Sequence, residues 1–215
     1  EQQAGAGGTV GGSSAAIAHY TAHAEALRDR YDTLPTEECY APVRHLIPSA
    51  PCRTVDIGTA TGRDARWFAD MGHDVTAVDP VAAFLDPARR SDDRITWLID
   101  ALPDLSELSA RGQVFDLVNL SAVWHHLAPE ERGRAARTLA RLVSPGGGLI
   151  MSLRHGPTPP GLPVHAIDVD ATADSFNRVG LAEVFRCAAP SIQKVNRDAG
   201  VTWTWLALRS AKGVK

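Results

Sequence analysis

Polar and apolar positions change period along this chain, and the changes mark its elements. Between Ser14 and Asp32 the side chains Ile17, Tyr20, Ala24, Leu27 and Tyr31 recur three or four apart, the spacing of one helix face. A shorter helix opens near Thr36, with Glu37 and Glu38 in its first turn where carboxylates suit the helix dipole, and Pro42 interrupts it. Beyond these, short apolar runs alternate with amphipathic stretches. The runs predict strands over 53–57, 74–78, 95–99, 115–120, 149–153, 181–187 and 201–208. The stretches predict helices over 62–71, from Pro80 onward, and over 104–111, 129–143 and 171–179. Pro80 and Pro129 stand where helices open, Gly72 where one stops, and Pro145-Gly146-Gly147-Gly148 where the chain turns into a strand. A proline-rich loop covers 155–163.

Alternating β and α units with short connections predict an α/β fold. It is a doubly wound, Rossmann-like, mostly parallel sheet of seven strands with an N-terminal helical lid. The last strand, Val201 to Leu208, alternates polar and apolar at its start, as a half-exposed antiparallel strand does.

The strand ends carry the chemistry. Asp56, Asp79 and Asp100 each close a predicted strand, at the sheet edge where ligands of doubly wound folds sit. Together they offer acceptors for amine and ribose groups in a nucleoside-sized site. The turn Gly58-Thr59-Ala60-Thr61-Gly62 departs from the dinucleotide spacing G-x-G-x-x-G and lacks the Lys-Ser/Thr of a phosphate loop. A carboxylate just before the turn, Asp56, repels a pyrophosphate and attracts a cation. A nucleoside carrying a sulfonium and an α-amino group suits that pattern.

On these residues the chain resembles a class I S-adenosylmethionine-dependent methyltransferase, over roughly residues 50 to 210. The matching segments are Asp56-Ile57-Gly58-Thr59-Ala60-Thr61-Gly62, Ala77-Val78-Asp79, Asp100-Ala101, Phe115-Asp116-Leu117-Val118 and Leu142-Val143-Ser144-Pro145-Gly146-Gly147. The resemblance implies S-adenosylmethionine as cofactor and S-adenosylhomocysteine as product. It implies that Gly58, Thr59, Ala60 and Gly62 pass under the methionine moiety, with Asp56 orienting the turn and reaching the amine through water. Asp79, with Pro80 beside it, accepts the ribose hydroxyls. Asp100 accepts the adenine amine, the Ala101 N–H meets the ring, and the carbonyl of Leu120 or Ser121 takes the methionine amine. Arg63 reads either as a partner of the cofactor carboxylate or as a helix-surface residue. Ala60 stands where the family has glycine, and its methyl is tolerated at negative φ.

With the fold so placed, residues 1–14 are a flexible glycine-rich tail, 15–50 the N-terminal helices on the lid or substrate side, 51–210 the cofactor-binding methyltransferase domain, and 211–215 a second tail. Helpers of methyl transfer are expected after the fourth strand, where Trp124-His125-His126 lies. Neighbours on a helix point about 100° apart, so one of His125 and His126 is expected to face the site as base or substrate contact. Arg154 and His155, after the fifth strand, and Tyr31 or Tyr20 on the first helix are candidate substrate contacts. Asn119-Leu120-Ser121-Ala122 occupies the place of the Asn-Pro-Pro-Tyr that, in this family, accompanies methylation of DNA-base or glutamine amines. A small-molecule acceptor is therefore expected. Other readings are methylation of a protein or RNA, a cofactor-binding module without turnover, and an NAD-dependent oxidoreductase, against which the glycine spacing argues.

Bulk properties narrow the rest. The 215 residues are 44% hydrophobic and 22% charged, enough for one domain with a proper core, and the net charge of −3 lacks the basic surplus of a nucleic-acid binder. Cys39, Cys52 and Cys187 form no Cys-x-x-Cys, so no disulfide framework or zinc site is expected, and His19 with His23 lacks a third metal ligand. No basic-then-apolar leader and no membrane-length apolar run is read, so a cytoplasmic monomer or homodimer is expected, without nucleic-acid or membrane partners.

Overall fold

The computed structural model describes residues 12–158 and 160–211. Its strands are β1 (Arg53–Ile57), β2 (Asp74–Val78), β3 (Thr96–Leu98), β4 (Phe115–Ser121), β5 (Val143–His155), β6 (Leu181–Pro190) and β7 (Thr202–Ser210). They form one sheet in the order β3-β2-β1-β4-β5-β7-β6. β1 pairs in parallel with β2 and β4, as do β2 with β3 and β4 with β5, while β7 runs antiparallel to both β5 and β6. The expected mixed sheet with one reversed C-terminal strand is therefore the observed one. Strand order reverses between β1 and β4, and the crevice above that switch point is where such sheets bind ligands.

The helices are α1 (Gly12–Asp32), α2 (Thr36–Tyr40), α3 (Arg63–Asp70), α4 (Ala82–Ser91), α5 (Ser106–Ala110), α6 (Pro129–Leu142), α7 (Val169–Asn177) and α8 (Lys194–Asp198). α1 starts two residues before the predicted Ser14, so Gly12 to Ser14 are helical; the rest of the predicted first tail, 1–11, and residues 212–215 lie outside the described residues. α4 begins after Pro80 rather than at it. The Val81 N–H donates to Asp79 Oδ1 at 2.8 Å, which holds Val81 extended (φ −94°, ψ 96°) and delays the first helical turn. The short α8 has no apolar period to announce it. No helix among the described residues is long and apolar enough to cross a membrane.

The Pro-Gly-Gly-Gly segment also differs from expectation, lying inside β5 instead of before it. Phe115 pairs with Val143 but Leu117 with Gly148, so the intervening residues bulge out of the ladder, Gly146 at φ +77°. At Gly147 a Cβ would stand 2.8 Å from Ser144 Oγ and 3.1 Å from the Asp116 carbonyl, so only glycine lets the bulge close on β4.

Strand alternation divides the core in two. Val55, Ile57, Val118 and Leu120 pack under Leu139 of α6 and Phe176 of α7, while Val75, Ala77 and Leu117 pack under Tyr40 of α2 and Phe68 of α3. A third cluster is smaller: Ile17, Tyr20, Ala24, Leu27 and Tyr31 of α1 lie against Val81 and Phe84. That contact lays α1 across the strand ends.

Leu120 is 0% exposed in the first cluster. Leu120→Ala is expected to cost about 2–5 kcal/mol, seen as a lower urea midpoint with unchanged slope. An unaltered midpoint contradicts this placement.

Candidate active site

The turn after β1 is built from left-handed backbone. Gly58, Ala60 and Gly62 sit at φ +75°, +49° and +81°, and the Gly58 and Thr59 N–H groups both donate to the Val78 carbonyl, at 2.8 and 3.0 Å. A Cβ on Gly58 would stand 2.2 Å from Val123 Cγ2, so the glycine is needed for space as well as for φ. Ala60 does not take the negative φ at which its methyl would be tolerated without strain. Its left-handed conformation costs of order 1–2 kcal/mol, offset by its N–H donating to Asp79 Oδ2 at 2.8 Å. Asp79 thus holds Ala60 with one oxygen and Val81 with the other. Asp100 is used in the same way, accepting from the N–H groups of Ala101 and Leu108, each at 2.9 Å.

Above these strand ends lies a cavity of about 580 Å³. Gly58, Thr59, Ala60, Thr61, Asp79, Pro80, Asp100, Ala101 and Ser121 are part of its lining. Tyr20 and Tyr31 of α1, His125, His126, Arg154, Leu162, and Trp203 and Trp205 of β7 line it too, with Ala60 packed in the same cluster as Tyr20 and Tyr31. The two histidines lie on a single 3₁₀ turn, Trp124–His126, whose Trp124 is fully buried against Phe176 with ring centres 5.3 Å apart. Because the turn runs beneath the cavity, both histidines reach it, rather than the one expected, and their rings lie 4.2 Å apart. His126 Nδ1 is 2.9 Å from the Pro163 carbonyl, a pure acceptor, so Nδ1 carries the proton. The neutral ring then presents the Nε2 lone pair to the Tyr20 hydroxyl, 3.0 Å away.

Residues 55–151 match the family model described as "Methyltransferase domain". The chain carries a methyltransferase domain. An uncharacterized methyltransferase of Mycobacterium bovis is 32% identical over 111 residues, covering 51% of this chain and 43% of that one. A malonyl-[acyl-carrier protein] O-methyltransferase of Enterobacter lignolyticus is 32% identical over 139 residues, 62% of this chain and 48% of that one. The chain thus spans less than half the length of either relative. The fold is similar to that of the 1,6-didemethyltoxoflavin-N1-methyltransferase of Burkholderia thailandensis, solved with 1,6-didemethyltoxoflavin and S-adenosylhomocysteine bound. There the TM-score is 0.74 at 19% identity, with 97% of this chain and 94% of that one covered.

Within the methyltransferase domain, most sequence-predicted site residues meet at the cavity, and a few do not. Asp56 is 2% exposed and lies beneath the turn, where Oδ2 accepts from Thr59 Oγ1 at 2.5 Å and Oδ1 from Asn119 Nδ2 at 2.7 Å. It shapes the turn and lines no part of the cavity. Gly62 is likewise outside the lining, its Cα face turned to the Trp97 ring, and the Leu120 side chain belongs to the core. Arg63 pairs with Asp64 at 2.7 Å, at the cavity wall. Arg154 and Tyr31 reach the cavity, whereas His155 turns away, its Nε2 2.9 Å from Thr204 Oγ1 on β7. The Ala101 N–H, expected at a ring, donates to Asp100. Sequence reasoning missed Val123, Ser152 and the link between Tyr20 and His126. It also missed Asn119, though an asparagine inside the apolar run Leu117-Val118-Asn119-Leu120 is a usable signal, since a buried amide needs partners.

Burial dominates the electrostatics. It raises the Asp79 carboxyl to about 6 against the pull of the Val81 and Ala60 N–H groups, and raises Asp56 to about 7, with Asp64 adding repulsion. Burial also lowers His126, opposed by the Pro163 carbonyl, and lowers His125 well below the usual range with help from His126 and Arg154. The Tyr20 hydroxyl is raised by burial and then by Tyr31, so it stays protonated.

These shifts have a stability consequence. A carboxyl raised in the folded state favours folding below its unfolded value of 3.8 and loses that contribution as pH climbs through about 6. Ligand-free protein is therefore expected to lose stability between about pH 4 and 6 through Asp79, and Asp79→Asn to flatten that part of the curve. Denaturation midpoints across the range check this, and identical slopes for the two proteins contradict it.

Proposed function

We propose that this chain transfers a methyl group from S-adenosylmethionine to a small-molecule acceptor. The observation that carries the reading is that one cavity is lined both by Asp79 and Asp100 and by Tyr20, His126 and Arg154. A nucleoside cofactor and an acceptor thus share one enclosure.

The donor set fits the cofactor. Each carboxylate oxygen of Asp79 and Asp100 accepts one backbone N–H and keeps acceptor capacity for a hydroxyl or amine. Ser121 and the left-handed turn supply backbone at the strand switch point, where a methionine moiety would lie. When bound, S-adenosylmethionine supplies an electrophilic methyl on a cationic sulfur. What remains for the protein is alignment, a contribution of about 7–11 kcal/mol where the reacting atoms are well oriented. α1 lines the cavity with Ile17, Tyr20, Leu27 and Tyr31, Arg154 offers a cation to the acceptor, and His126 offers a lone pair for a proton.

The Burkholderia protein's bound 1,6-didemethyltoxoflavin supports a small acceptor, as does the absence of a basic surplus at a net charge of −3. The reading includes a cytoplasmic enzyme without nucleic-acid partners, acting as a monomer or homodimer.

Isothermal titration tests the cofactor. Micromolar binding of both S-adenosylmethionine and S-adenosylhomocysteine is expected, and Asp79→Ala is expected to weaken it at least about tenfold, roughly 1.4 kcal/mol. An unchanged dissociation constant removes Asp79 from the site. Binding of both ligands without product in any metabolite mixture favours the binding-module reading instead.

A further inference from the structure

We propose that Tyr20 and His126 form a proton relay, Tyr20 meeting the acceptor and His126 taking the proton, and that the acceptor is a weakly acidic O–H or N–H on an aromatic ring. The inference rests on the methyl-transfer reading above.

Geometry sets the direction of the relay. The Pro163 carbonyl accepts the His126 Nδ1 proton, and the Tyr20 hydroxyl donates to Nε2 at the cavity wall, with Tyr31 beside the same hydroxyl. As the acceptor's proton moves to the Tyr20 oxygen, the Tyr20 proton moves to Nε2. The electron pair freed on the acceptor heteroatom forms the bond to the methyl carbon, and the carbon–sulfur pair stays on sulfur. The methylated acceptor, S-adenosylhomocysteine and a His126 imidazolium result, and the imidazolium returns its proton to water once the cavity opens.

Two observations select the acceptor class. The first is the strength of the base. His19 and Tyr20 on α1, His125 beside it, Arg154 on β5 and His165 in the loop before α7 surround His126, and burial weakens its hold on a proton. A weak neutral base is better matched to a phenol or a heteroaromatic N–H than to the far less acidic aliphatic alcohol. Asp79 and Arg154 both act on the Tyr20 hydroxyl, in opposite senses, so the surrounding charge does not single out an ammonium. The second observation is the wall. Ring centres follow one another from Trp203 to His125 (6.3 Å), His126 (4.2 Å), Tyr20 (5.3 Å) and Phe84 (6.4 Å), and all five rings line the cavity. Such a wall favours a flat ring, which stacks or meets it edge-on.

The experiment has two arms on the full chain. Nitrogen NMR of histidine-labelled protein, saturated with S-adenosylhomocysteine, should show His126 neutral at pH 7 with its proton on Nδ1. In Tyr20→Phe the tautomer should persist while the Nε2 resonance moves as its hydrogen bond is lost. A proton on Nε2 overturns the relay. In the second arm, S-adenosylhomocysteine release is followed with phenols and N–H azoles against aliphatic amines and carboxylates. Turnover is expected from the first group, with kcat falling about 100-fold or more in Tyr20→Phe and in His126→Asn. The dissociation constant for S-adenosylhomocysteine should stay within about twofold in both variants, which shows them folded. Turnover confined to amines or carboxylates, or a Tyr20→Phe enzyme at wild-type kcat, overturns the proposal. Failure of the wild type to bind S-adenosylhomocysteine instead removes the methyl-transfer reading on which it rests.

Discussion

The structure turns on the burial of one carboxylate. Asp56 sits at the end of β1 with almost no exposure, and a buried charge is tolerated only where hydrogen bonds replace water. Asn119 of β4 donates to it, and the same amide donates to the Tyr40 hydroxyl of α2 at 2.8 Å. Tyr40 in turn donates to Asp64 of α3 at 2.8 Å, and Arg63 neutralises Asp64 from the other side. Two strands and two helices are thus joined by one hydrogen-bonded network around the switch point, in which Asn119 Oδ1 is left without a partner among the described residues. Removing a single member leaves a buried partner unmatched, at about 1–3 kcal/mol for a neutral group and more for a charged one.

The shape of the turn follows from that network. Thr59 is drawn to Asp56 from above, and the chain must then reverse within a few residues to start α3. Left-handed backbone at three positions is how it does so, and the strain at Ala60 is held by Asp79. The floor of the cavity is therefore fixed by contacts on both sides of the turn, one buried beneath β1 and one at the end of β2.

Local chemistry was legible in the sequence, and pairing across the chain was not. Period-two runs and acidic strand ends marked Asp79 and Asp100 correctly at the cavity, because a strand's last residue is bound to lie at the sheet edge. At Asp56 the same logic gave the residue that orients the turn, but strand position does not say whether a side chain points down into protein or up toward a ligand, and this one points down. His155 failed for the alternation of a strand: Arg154 faces the cavity, so its neighbour faces β7. The partnership of Tyr20 with His126 spans 106 residues and depends on how α1 lies over the strands, which no periodicity encodes.

That position of α1 links covering the site to its chemistry. The helix is held by a modest apolar contact with Phe84 and Val81 and by scattered polar bonds, including Ser13 to Glu131 at 2.7 Å and Arg28 to the Ala83 carbonyl at 3.0 Å. Each such bond contributes only about 1 kcal/mol net, so α1 is anchored far less firmly than the sheet beneath it. That weakness suits the proposal that α1 admits and releases ligands. Yet the same helix brings Tyr20 to His126 and keeps water from the imidazole. Closing it therefore completes the relay, and the dryness it imposes holds His126 neutral and ready to accept a proton. Dryness also weakens His126 as a base, so the closed site suits an acceptor acidic enough to give its proton up.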